Sequence, residues 1–64
     1  MIKYQKTTTI ELPHGNHAKC PIYEHEGKYY IKSNKPNTSV YMPYIFDNEE
    51  YAEVEFISGY WFTK

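Results

Sequence analysis

Apolar and polar residues alternate along this chain in short runs, broken at close intervals by glycine, proline, asparagine or serine. A period of two predicts half-buried β-strands rather than amphipathic helices. Residues 2–12 favour a strand through Ile2, Tyr4, three threonines and Ile10, with Ile10 and Leu12 alternating against Glu11. Pro13, Gly15 and Asn16 form a turn, and a second strand follows over residues 18–24. Glu26-Gly27 reads as a hairpin turn into a third strand over residues 28–32. A two-residue loop there sets Ile22 opposite Ile31 and Tyr23 opposite Tyr30, whereas a three-residue loop would exchange the faces.

Residues 33–39 are a polar loop centred on Pro36, and residues 40–46 are a fourth strand that Pro43 places at an edge or bulge. Asp47-Asn-Glu-Glu50 can be read as a helix N-cap with its acidic partner, giving one short helical turn near residues 47–51, or as a plain polar turn. The C-terminal hairpin is the clearest element. Ala52, Val54 and Phe56 alternate with Tyr51, Glu53, Glu55 and Ile57, Ser58-Gly59 turns, and residues 60–64 return. That register pairs Phe56 with Trp61 on the buried face and Glu53 with Lys64 on the open face. The whole pattern predicts an all-β domain, a small five- to six-stranded antiparallel barrel or twisted sheet of the SH3-like or OB-like kind.

Length sharpens this picture. Sixty-four residues make a single small domain, residues 1–64. A chain of this size buries only about 60% of its unfolded surface, so a staple such as a metal or a second subunit would help it. An internal disulfide is excluded, because Cys20 is the one cysteine. One thiol and the lack of an apolar leader suit a reducing cytoplasm, that of a bacterium or a phage-infected host. The longest apolar run, residues 40–46, is too short to span a bilayer, and no membrane role is expected.

All three histidines and the cysteine fall in "LPHGNHAKCPIYEH". His14, His17 and Cys20 are the candidate metal ligands, because two-residue spacings suit a loop wrapped around zinc. Against that, structural zinc sites usually carry at least two cysteines, and His25 lies about 17 Å from Cys20 on a straight strand. A zinc-stabilised mini-domain is therefore a secondary alternative, and neither metal nor cofactor is expected. Nor is an enzyme: no phosphate cradle, nucleophile elbow or walled carboxylate pair is present, and so small a core leaves little room for a cleft of ~300 Å³.

Aromatics make up 19% of the chain, eight of them tyrosine, and every basic residue is lysine. The absence of arginine disfavours sequence-specific DNA reading, and heavy use of Lys, Tyr, Ile and Asn matches an AT-rich genome. Charge is divided: residues 1–32 carry five lysines and three glutamates, residues 33–64 two lysines and five acids, for a total of −1. Asp47, Glu49, Glu53 and Glu55, with Tyr51 among them, share odd positions, so one strand face would space carboxylates about 6.8 Å apart, close to nucleic-acid phosphates. The expected function is a non-enzymatic interaction protein, a phage or mobile-element accessory factor that binds and inhibits a host protein, a nucleic-acid-binding one included, through this DNA-mimic-like row together with exposed Tyr23, Tyr30, Tyr51 and Tyr60. A homodimer is compatible with the same features. The alternative is single-stranded nucleic acid stacked on Tyr23, Tyr29 or Tyr30, with Lys19, Lys28 and Lys32 along its backbone. The acidic second half makes that partner the less favoured one.

Overall fold

A computed structural model describes residues 2–32 and 42–64, with His14 described in its backbone alone. Six strands follow in order: β1 (Lys3–Glu11), β2 (His17–His25), β3 (Lys28–Lys32), β4 (Tyr44–Phe46), β5 (Glu49–Ile57) and β6 (Tyr60–Thr63). Hydrogen-bonded neighbours run β3-β2-β1-β6-β5-β4, and β3 also pairs with β5. That last pairing closes β1, β2, β3, β5 and β6 into a ring, a small all-β barrel as the alternation predicted. All pairings are antiparallel except β1 with β6, which is parallel. The polar loop at residues 33–39 and the start of the expected fourth strand at residues 40 and 41 lie outside the described residues.

Three tight turns set the registers. Glu26-Gly27, Asp47-Asn48 and Ser58-Gly59 all have both central residues at positive φ, between 51° and 89°. This is the type I′ geometry, whose twist matches that of the flanking strands. The Gly27 amide also donates to the Glu24 carboxylate at 2.9 Å. The second of these turns corrects one expectation: residues 47–51 form no helical turn. Asp and Asn tolerate left-handed backbone, so the pair closes a hairpin with Phe46 opposite Glu49. The only helical geometry among the described residues is a 3₁₀ turn at Pro13–Gly15.

Register fixes two faces. Ile22 stands opposite Ile31 and Ile31 opposite Ala52, while Tyr29 stands opposite Val54. With Ile10, these build the buried aliphatic core of Ile10, Ile22, Ile31, Ala52 and Val54. Leu12, Cys20, Met42 and Trp61 pack against it. A shift between Tyr4 and Lys6 makes Gln5 an extra residue in β1, a bulge. The bulge carries Tyr4 to the outer face, opposite Tyr23, and leaves Lys6 opposite Ile22 on the inner one.

The outer face carries a second apolar layer made of rings. Tyr23 meets Tyr4 and Tyr51, at centroid separations of 5.7 and 5.4 Å. Phe46 reaches Tyr30 at 5.1 Å, Tyr51 at 5.5 Å and His25 at 4.7 Å. Mostly edge-to-face geometry of this kind adds to simple area burial. The short β4–β5 hairpin thus lays Phe46 and Tyr44 over β3, and Tyr30 and Tyr51 are left only 5% and 3% exposed.

Candidate interaction surface

That burial overturns part of the expected binding surface. Tyr30 and Tyr51 are structural residues, and Tyr23 is half-buried between Tyr4 and Tyr51. Burial pushes the hydroxyl pKa of both Tyr30 and Tyr51 above the usual tyrosine value, with the Glu53 charge adding to the effect at Tyr30. Of the four tyrosines singled out, Tyr60 alone stands well exposed, at 60%.

The acidic row is real as a row but largely engaged. Glu49, Glu53 and Glu55 share the outer face of β5 with Tyr51, and Asp47 sits in the turn before it. Glu49 pairs with Lys32 at 3.6 Å, and Glu53 with Lys64 at 3.3 Å while also accepting the Tyr44 hydroxyl at 3.2 Å. Two of the three strand carboxylates are thus partly neutralised.

The remaining candidates are also redistributed. A strand that begins at His17 sends residues three apart to opposite faces. His17 accordingly sits opposite Glu11, with its Nε2 2.8 Å from the carboxylate, while Cys20 packs on the core. These two proposed ligands cannot share one ion. No cluster of three metal-binding side chains occurs among the described residues, and the side chain of His14 is outside them. The nucleic-acid platform is divided in the same way, since Tyr29 faces inward while Tyr23 and Tyr30 face outward, and Lys32 is held by Glu49.

A different surface emerges at the C-terminal hairpin. Phe56 and Trp61 are cross-strand partners with centroids 5.0 Å apart, and Tyr29 meets Trp61 at 5.2 Å. Trp61 packs on the core with one side, and the trio lines an open cavity of about 510 Å³ with Gln5, Lys6 and Ile22. A second hollow of about 300 Å³ adjoins it and shares Lys6, Phe56 and Trp61. The small core therefore does leave a cleft, contrary to expectation, and its lining is mainly aromatic carbon with one amine and one amide. On the other side of the hairpin, Ile57, Tyr60 and Phe62 are exposed, Tyr60 and Phe62 with ring centroids 6.5 Å apart.

The pattern that could have revealed this patch is its excess of apolar residues. Phe56, Ile57, Tyr60, Trp61 and Phe62 put large apolar side chains on both faces of one hairpin, more than a single buried face can use. Lys6 carried no such signal. No family model matches the chain, and no curated protein or solved structure is significantly similar to it.

Proposed function

We propose that this chain is a non-enzymatic binding module that captures a partner protein through the aromatic C-terminal hairpin. The observation that carries this reading is the exposure of Phe56, Ile57 and Tyr60, at 58%, 47% and 60%, beside Phe62. Small domains rarely leave so many large apolar side chains exposed on the two faces of one hairpin unless a partner covers them. Aromatic residues supply large contact area at low entropic cost. An intracellular partner, such as a host protein inhibited by the contact, fits the single-thiol chain, whereas the acidic row contributes at most a charged rim.

Capture of partners from a bacterial lysate by wild-type protein and by a Tyr60→Ser, Phe62→Ser double variant tests the reading. Both positions are exposed, so the variant should keep its fold, as checked by circular dichroism. Loss of a stoichiometric partner from the variant alone supports the hairpin, and undiminished capture removes it.

A second reading draws on Lys3, Lys6, Lys19 and Lys28, none of which forms an ion pair with a described residue. Single-stranded nucleic acid could stack on Tyr29, Phe56 and Trp61 with Lys6 at a phosphate. Such binding would weaken steeply with salt, and titration of oligo-dT at low and moderate salt separates it from protein capture.

A further inference from the structure

β1 is paired unequally along its two edges. Eight of its residues between Lys3 and Glu11 are matched to β2, but only Ile10 and Glu11 are matched to β6. From Lys3 to Thr9, therefore, alternate backbone N–H and C=O groups face away from β2 without a ladder partner among the described residues. Such groups are obligate hydrogen bonders, and a row of them is a template for another strand. The row is about 20 Å long, enough for a six- or seven-residue segment. Its side chains Thr7, Thr8 and Thr9 favour extended backbone.

We propose that this open edge accepts an extended, acidic segment of a partner protein as an added strand. One apolar side chain of the segment packs against Phe56, Trp61 and Tyr29, and one of its carboxylates meets Lys6. This deepens the protein-binding reading above and rests on it. Lys6 lines both hollows beside the edge and forms no ion pair with a described residue. Lys3 falls on the same face of β1, because Gln5 is the bulged residue between them. The competing account is that lysines and a bulge merely blunt an edge against aggregation. Blunting explains the lysines, but it gives no reason for an aromatic wall beside them, with Phe56 58% exposed. The same lysines argue against a second copy of the chain as occupant. Antiparallel pairing of two β1 edges centred on Lys6 sets Lys6 against Lys6, a like-charge pair.

The probe is an acetylated, amidated peptide, Thr-Glu-Thr-Leu-Thr-Glu-Thr, whose alternation puts Glu, Leu and Glu on one face. Its counterpart carries N-methyl groups at alternate residues, in both registers. Isotope-labelled protein is titrated with each peptide while amide exchange is followed. With the plain peptide, alternate amides between Lys3 and Thr9 should exchange at least about tenfold more slowly. Lys6→Glu should weaken binding by about tenfold or more, and one N-methylated register should fail to bind. No saturable shift at millimolar peptide overturns the inference, as does binding that leaves β1 exchange unchanged. Concentration-dependent protection of β1 without peptide also overturns it, in favour of self-pairing. Each of these outcomes leaves the hairpin reading intact, which fails separately if capture survives the Tyr60→Ser, Phe62→Ser substitutions.

Discussion

Phe56 and Trp61 face one another across the last hairpin with ring centroids 5.0 Å apart, yet Trp61 is only partly buried and Phe56 is 58% exposed. The pair joins the barrel core to the open groove. Trp61 also touches Tyr29 and packs on the aliphatic core, whereas Phe56 projects into the hollow. Trp61→Ala should therefore cost about 2 kcal/mol, below the range for a fully buried tryptophan. Phe56→Ala should cost about 1 kcal/mol, and a double-mutant cycle should return a coupling of about 0.5–1.5 kcal/mol. Urea unfolding followed by far-ultraviolet circular dichroism measures all three. A Trp61→Ala protein that is wholly unfolded would place the ring in the core after all.

The three type I′ turns make a second prediction. Gly59 has φ of 89° with open space where a Cβ would sit, so Gly59→Ala meets a backbone penalty and no clash. The expected loss is about 1 kcal/mol. Ser58, at φ 52°, is a poor occupant of the same turn. Ser58→Asn creates the Asn-Gly pair preferred in this geometry and should gain about 0.5 kcal/mol. Opposite changes in melting temperature are the signature, and a Ser58→Asn protein no more stable than wild type would contradict it.

Where local rules decide, the chain is readable. Two-residue turns at Glu26-Gly27 and Ser58-Gly59 impose the registers Ile22–Ile31 and Phe56–Trp61, both legible from glycine placement and alternation. The outer aromatic layer is not legible in this way. Burial of Tyr30 and Tyr51 depends on Phe46 being laid over β3, a tertiary event, and the Asp47-Asn48 turn that sets it up resembles a helix cap in sequence. The bulge at Gln5 has no glycine or proline to announce it, yet it decides that Tyr4 faces Tyr23 and that Lys6 stays at the groove. Tyrosines chosen by composition therefore lie partly inside, while Phe56 and Trp61, expected on a buried face, line the groove.

The buried tyrosines make a prediction about alkaline pH. The hydroxyls of Tyr30 and Tyr51 are held above the ordinary value of 10.0, chiefly by burial. In the unfolded chain they return to about 10. The native state therefore binds these protons more tightly, and the stability they contribute is complete below pH 10. It is lost as pH rises from 10 through the higher folded values. Phenolate absorbance should show two late-ionising groups, one of which disappears in each of Tyr30→Phe and Tyr51→Phe. Glu53→Gln should bring Tyr30 back towards its ordinary value, because the Glu53 charge is the second cause of its shift. If all tyrosines ionise together at pH 10 in protein that is still folded, the outer layer is not closed.

Charge reversal on β5 separates the possible binding surfaces. Glu49→Lys breaks a partly exposed pair with Lys32, and Glu55 has no ion pair with a described residue. Exposed pairs contribute little, so each change should cost about 0.5 kcal/mol or less. Together they raise the formal charge by four, from −1 to +3. A partner held by the aromatic hairpin should stay bound to the double variant, with only its association rate altered at low salt. Single-stranded nucleic acid would instead bind more tightly, since four units of charge now favour a polyanion. Abolished protein capture from a variant that melts like wild type would move the site to the acidic face, with Glu49 and Glu55 as its contacts. Surface plasmon resonance with the captured partner, at two salt concentrations, distinguishes these three outcomes in one experiment.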